Sequence, residues 1–170
     1  MRPTVAAVAL ALLAGCSQTS AATDTSLGPG EARVVEVVDG DTIVVHLPSG
    51  DETIRMIGVD TPEAKKPDTP VECYAREAAH RTEELLPRGT VVRLERDKEA
   101  RDRFGRLLAY VTRSSDGMSI EVELLRDGFA SHLVIAPNTT HTSEYAALAA
   151  AAQRDGKGLW AACGGPHIVK

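Results

Sequence analysis

Apolar positions along this chain come in short runs: "RVVEVVD" at 33–39, "DTIVVHL" at 41–47, "ETIRMIGV" at 52–59, "TVVRLERD" at 90–97 and "RLLAYVTR" at 106–113. Each run is rich in Val, Ile or Leu and is set off by Gly, Pro, Asp or Ser, which predicts five β-strands. The pattern then switches to a helical period. "ECYAREAAHRTEELL" at 72–86 aligns Ala78, Thr82, Leu85 and Leu86 on one face and offers Glu77 to Arg81 as an i,i+4 pair. "SIEVELLRDG" at 119–128 ends in Gly as a helix stop does. "THTSEYAALAAAAQRDGKG" at 140–158 puts Tyr145, Leu148 and Ala152 on one stripe, closed by Gly156. Short strands with a helix after the third predict an α+β fold, mainly β: a five-stranded oligonucleotide-binding (OB-fold) barrel with about three helices packed beside it.

The two ends of the chain read differently. Residues 1–15 combine Arg2 with the apolar run "VAAVALALLAG", the layout of a secretory leader and too short to span a membrane. The stretch "LLAGC" resembles a bacterial lipobox, which makes Cys16 the expected lipidated first residue; cleavage to a soluble secreted protein is the alternative. Either way the protein is expected to be exported, on the outer face of the membrane or released. Residues 16–31, small, polar and Gly/Pro-containing, read as a flexible tether. The domain follows at 32–163, with "GGPHIVK" at 164–170 as a loose tail. About 140 residues remain after leader and tether, enough for one core, and a monomer is expected.

With Cys16 assigned to the lipid, Cys73 and Cys163 are an even pair in an oxidising setting, where a disulfide is favoured over free thiols. Neither cysteine has the CxxC or histidine spacing of a zinc site. The formal net charge is −5, and loss of Arg2 with the leader makes it more negative. A polyanionic partner therefore needs a local basic patch. Residues 96–106, "RDKEARDRFGR", hold five Lys/Arg against three Asp/Glu, with Arg101, Arg103 and Arg106 placed to grip a phosphate. A solvated charged loop is the bland alternative.

Carboxylates concentrate at one hairpin. If Gly50-Asp51 is the turn after the second strand, Leu47 faces Ile54, Val45 faces Met56, and Asp41 lies opposite Asp60 with Cβ atoms roughly 5 Å apart. Two such carboxylates need a cation between them. A hard ion such as Ca²⁺ suits them, with the Thr61 carbonyl completing the protein's share. Strict alternation puts Arg55 on the other face from Asp60, so Gly58 is the expected point where the strand is redirected. Arg55, Asp60 and Glu63 then converge on one concavity. The competing reading is turn and capping chemistry for "DGDT" and for Asp60-x-x-Glu63.

Taken together, "VVDGDTIVV", "IRMIGVDTPE", "DRFGRLLAYV" and "GKGLW" resemble the staphylococcal thermonuclease family, in order from about Arg33 to Trp160. The resemblance implies the OB-fold barrel. It implies Asp41 and Asp60 as calcium ligands with the Thr61 carbonyl, Arg55 and Arg106 on the scissile phosphate, and Glu63 beside the attacking water. It also implies hydrolysis of DNA and RNA with little sequence preference, cleaving the bond to the 5′ oxygen and leaving 3′-phosphates. Lys65 and Lys66 are candidates for steering the strand. "VECYAREAA" and "GLWAAC" are similar to a bacterial subgroup that carries cysteines at these places. Two departures stand out: Phe104 where the best-known member has a tyrosine, and "SHLVIAP" where it has further tyrosines. The rival expectations are a catalytically silent nucleic-acid-binding barrel and a lipoprotein that binds an anionic surface ligand.

Overall fold

The computed structural model describes residues 27–64 and 70–169. The lipobox with Cys16, the leader, nearly all of the tether, and Lys65 and Lys66 lie outside them. β1 (Glu31–Asp39), β2 (Thr42–Leu47) and β3 (Gly50–Met56) form an antiparallel meander, and β4 (Val59–Asp60) follows a sharp turn. After α1 (Ala75–Leu85) come β5 (Val91–Glu95), β6 (Leu107–Arg113) and β7 (Met118–Ser119). α2 (Ile120–Arg126), β8 (Ser131–His132), α3 (Thr142–Arg154) and α4 (Leu159–Cys163) complete the order.

The sheet runs β3-β2-β1-β5-β6-β7, and a parallel pairing of β3 with β6 closes the first five strands into a mixed barrel. Closure removes the sheet edges that an open meander would leave unpaired. Ile43, Val45, Ile54, Met56, Val92, Ala109 and Val111 fill the interior, as the alternation of apolar positions requires. α1 lies against β1, while α2 packs on β6 and against α3. The predicted stripe of α1 is buried at Ala78, Thr82, Leu85 and Leu86. The expected Glu77–Arg81 pair is not what Arg81 makes: it reaches Glu84 at 3.2 Å and Asp127, the residue that ends α2, at 3.3 Å, tying α1 to the end of α2.

The hairpin register differs from expectation. The turn is Pro48-Ser49, so Leu47 pairs with Gly50 and Ile43 with Ile54. Pro48 presets the φ of the first turn position and Gly50, at φ +119°, suits the residue after the turn. The register moves by an even number of residues, so the inward faces stay apolar. What changes is the partner of Asp41. Its carbonyl accepts the Met56 N–H at 2.9 Å, and Asp60 is not across the ladder from it.

Cys73 and Cys163 are joined by a disulfide that ties the residues before α1 to the end of α4. α4 itself escaped the periodicity reading. The tail beyond it, expected as a loose end, has the Ile168 carbonyl on the Cys73 N–H at 2.7 Å.

Candidate active site

The site is assembled by the turn between β3 and β4. Gly58, at φ +87°, breaks the alternation where expected and sends the chain back so that Val59-Asp60 pairs with Ser131-His132 of β8. A side chain at Gly58 would put Cβ 2.5 Å from the Tyr145 ring of α3, so only glycine fits the turn against that helix. On the other side, the turn between β1 and β2 carries Asp39, Gly40 and Asp41. Thr82 of α1 donates to the Gly40 carbonyl at 2.6 Å and fixes this turn. A Cβ at Gly40 would lie 2.7 Å from Thr61 Cγ2, so the two turns touch there.

Arg55 is the hub between them. Its Nη1 donates to the Met56 and Val59 carbonyls, each at 2.7 Å. Its Nη2 lies 2.9 Å from Asp60 Oδ1 and 3.1 Å from Asp41 Oδ2. The Arg55 side chain is only 8% exposed and that of Asp41 9%, so this pair is held out of water, while the Asp60 side chain is 25% exposed. This is the arrangement in which a buried charge is tolerated, because each ion is hydrogen-bonded as well as paired. Asp41 Oδ2 also accepts the Thr61 N–H at 3.0 Å, and Asp41 Oδ1 accepts the Thr42 hydroxyl at 2.9 Å. Burial, with the neighbouring Asp41 charge, pushes the Asp60 carboxyl above its ordinary range, against the pull of Arg55 and His167. Asp41 and Asp60 thus meet, as expected, but through a shared guanidinium rather than across a ladder.

Arg106 is held differently. Asp102 organises its loop by accepting the Phe104 N–H at 2.9 Å and the Arg106 N–H at 3.0 Å on Oδ1, and it takes Arg106 Nε at 2.7 Å on Oδ2. Gly105, at φ +84°, makes the tight return. Arg55 and Arg106 both line one cleft of about 390 Å³, whose rim carries Arg103, Phe104, Leu133 and Ile135. Phe104 is 69% exposed, with the Arg103 guanidinium 4.7 Å and that of Arg106 5.5 Å from its ring centroid. Arg101 is not on the cleft. It is clamped by both oxygens of Glu52, at 2.7 and 3.0 Å, which corrects its reading as a phosphate contact. A second hollow, about 440 Å³ and walled by Leu27, Leu47, Leu94 and Leu107, holds none of the residues singled out for chemistry.

A family model described as staphylococcal nuclease homologue matches residues 53–162. The chain belongs to the staphylococcal nuclease family. It is 39% identical over 128 residues to the thermonuclease of Staphylococcus hyicus, covering 75% of this chain and 74% of that protein. It is 43% identical over 110 residues to the thermonuclease of Staphylococcus intermedius, covering 64% of each. It is 36% identical over 155 residues to Endonuclease YncB of Bacillus subtilis (strain 168), covering 87% of this chain and 72% of that one. The closed barrel with helices at its side is the expected family fold.

Within that frame the structure adds residues the sequence reading did not single out. Glu63 hydrogen-bonds through its side chain to Asp39, and burial together with the Glu63 carboxyl pushes Asp39 up to about 7. Asp39 lies two residues before Asp41 in "DGDT", so its place in the motif was the available signal. Asp102 is visible only once the loop around Gly105 is closed. Glu72 accepts the Glu63 N–H at 2.9 Å, and His167 stands on Asp60. No periodicity or spacing points to His167, which reaches the site through the disulfide.

Proposed function

We propose that this chain is a calcium-dependent nuclease that hydrolyses phosphodiester bonds in DNA and RNA with little sequence preference and leaves 3′-phosphates. The observation that carries the reading is Arg55, buried between Asp41 and Asp60 yet lining the same cleft as Arg106. Nuclease relatives of similar length support the substrate class. Export, a lipid anchor on Cys16 and a monomeric state belong to the same proposal and rest on the sequence.

The donor set fits a hard cation. Asp41 and Asp60 present carboxylate oxygens, Thr61 follows directly, and the Thr61 hydroxyl is buried with no partner among the described residues. Asp41, Asp60 and the Thr61 carbonyl would hold Ca²⁺, which when bound supplies positive charge beside the reacting phosphate. Every other part of the mechanism is in the chain itself. Arg55 is preorganised by three hydrogen bonds and an ion pair, so it meets developing phosphoryl charge without rearranging. Arg106, with Nε on Asp102, keeps its remaining guanidinium N–H groups for a phosphate oxygen from the other wall of the cleft. Glu63 orients or deprotonates the attacking water, with Asp39 as the carboxyl that shares its hydrogen bond. Phe104 gives an exposed face on which a base stacks.

The test is release of acid-soluble nucleotides from DNA and RNA, followed by analysis of the product ends. Expected are calcium-dependent cleavage and 3′-phosphate ends. DNA that is bound and never cut would leave a silent binding barrel instead.

A further inference from the structure

His167 lies in the tail after the disulfide, and both its ring nitrogens are engaged. Nε2 is 2.8 Å from Asp60 Oδ2 and Nδ1 is 2.8 Å from Glu72 Oε2. Asp60 Oδ1 is already on Arg55, so the histidine occupies the carboxylate oxygen that Arg55 leaves over. The same Glu72 oxygen accepts the Glu63 N–H at 2.9 Å, and the Glu63 carbonyl accepts the Glu72 N–H at 3.0 Å. One imidazole therefore bridges the Asp60 carboxylate and the clamp that holds the backbone of Glu63.

The tail is built to put it there. Cys163 is fixed to Cys73 by the disulfide, Gly164 turns the chain at φ +82°, and the Ile168 carbonyl returns to the Cys73 N–H at 2.7 Å. His167 is thus pinned on both sides, and it sits at φ +56°, where a residue with a Cβ is strained. A non-glycine residue stays in that region only when its surroundings hold it there. The two carboxylate contacts and the anchored neighbours are what hold it.

We infer that His167 is a latch on the cation site, occupying Asp60 Oδ2 so that a divalent cation must displace the imidazole to bind. The inference rests on the reading of Asp41 and Asp60 as the cation ligands. It adds that the C-terminal tail sets how tightly that cation is held. A donor on Asp60 Oδ2 both blocks a coordination position and satisfies a lone pair the cation would otherwise take. Release of the tail leaves Asp60 with one fewer competing partner, so binding tightens.

The experiment is calorimetric titration of CaCl₂ into the oxidised protein without nucleic acid. Three further proteins are titrated alongside: His167→Ala, a chain ended after Pro166 with the disulfide intact, and Asp41→Ala. Circular dichroism checks the fold of each. Calcium is expected to bind about fivefold more tightly to both tail variants, the scale of a partly exposed ion pair, and to lose its site in Asp41→Ala. The truncated chain carries the test if His167→Ala misfolds. Unchanged or weaker binding in the tail variants, with loss in Asp41→Ala, would overturn the latch and leave the cation ligands standing. Binding indifferent to Asp41→Ala, or no binding in the parent and in both tail variants, would overturn the ligand assignment and the latch with it.

Discussion

Arg55 and Arg106 face one cleft with the same chemical group, and the protein prepares them in opposite ways. Arg55 comes from a barrel strand, β3, with its side chain 8% exposed on the face opposite Ile54 and Met56 and locked to two carbonyls and two carboxylates that are part of the same hairpin and turn. Arg106 comes from a surface loop, with a side chain 32% exposed and a single carboxylate partner, Asp102, four residues away. The first guanidinium is as much structural as chemical, because the carboxylates around it repel each other without it. The second is fixed only locally. One guanidinium is thus fixed in place by a barrel strand and its turn, and the other is carried on a loop held by one carboxylate.

Removing each arginine separates the two cases. Arg55→Ala is expected to lower turnover at least about 10²-fold and to destabilise the fold by about 3–5 kcal/mol, the loss seen when one partner of a buried ion pair is removed. Denaturant unfolding checks the second part. Stability equal to the parent would mean that Asp41 and Asp60 do not depend on Arg55. Arg106→Ala is expected to cost a similar factor in turnover, about 10²-fold, with unfolding nearly unchanged, since an exposed pair contributes about 0–1 kcal/mol. Arg106→Lys should recover little, because an ammonium lacks the planar fork.

Glu121 sharpens the comparison, as a buried charge-bearing group whose hydrogen bonds reach no cation. It is fully buried on α2 and accepts the Val111 N–H at 2.7 Å and the Ser119 hydroxyl at 3.1 Å. Burial pushes its carboxyl from the ordinary 4.5 up to about 8. The folded protein then keeps a proton that the unfolded chain has lost, so stability falls as pH rises from about 4.5 to about 8. Glu121→Gln is expected to flatten that slope, gaining on the parent by about 4 kcal/mol between the two ends. Parallel melting profiles for the two proteins across that range would remove Glu121 as its cause.

The smallest expected effect belongs to the exposed rim. Phe104→Ala removes the face beside Arg103 and Arg106 and should raise KM by roughly tenfold, the scale of one lost base–aromatic stack, with kcat changed far less. A fall in kcat with KM unchanged would show that the ring orders Arg106 rather than the substrate.

The barrel was legible because inward positions of Val, Ile and Leu alternate over runs long enough to show the period, and α1 and α3 because their stripes recur at helical spacing. The hairpin register was not, because both Pro48-Ser49 and Gly50-Asp51 carry turn chemistry and only packing decides between them. β4 and β8 have two residues each, too few for any period. Arg55, Asp41 and Asp60 were identified by type, while the shared guanidinium needed the correct register and the Gly58 turn. Arg101 and Arg106 are equivalent in sequence terms. Glu52, which captures Arg101, lies 49 residues away, whereas Asp102 holds Arg106 from within its own loop. His167 was out of reach altogether, carried to Asp60 by a bridge that spans 90 residues.

The central claim is that Arg55 and Arg106 act on a phosphate beside a cation held by Asp41 and Asp60. The most direct test is the rate of nucleotide release from DNA as calcium is titrated against a chelator. Activity should rise with Ca²⁺, vanish in excess chelator, and return poorly with Mg²⁺, whose smaller and stricter octahedron keeps its own waters. Full activity in the presence of chelator would contradict the account.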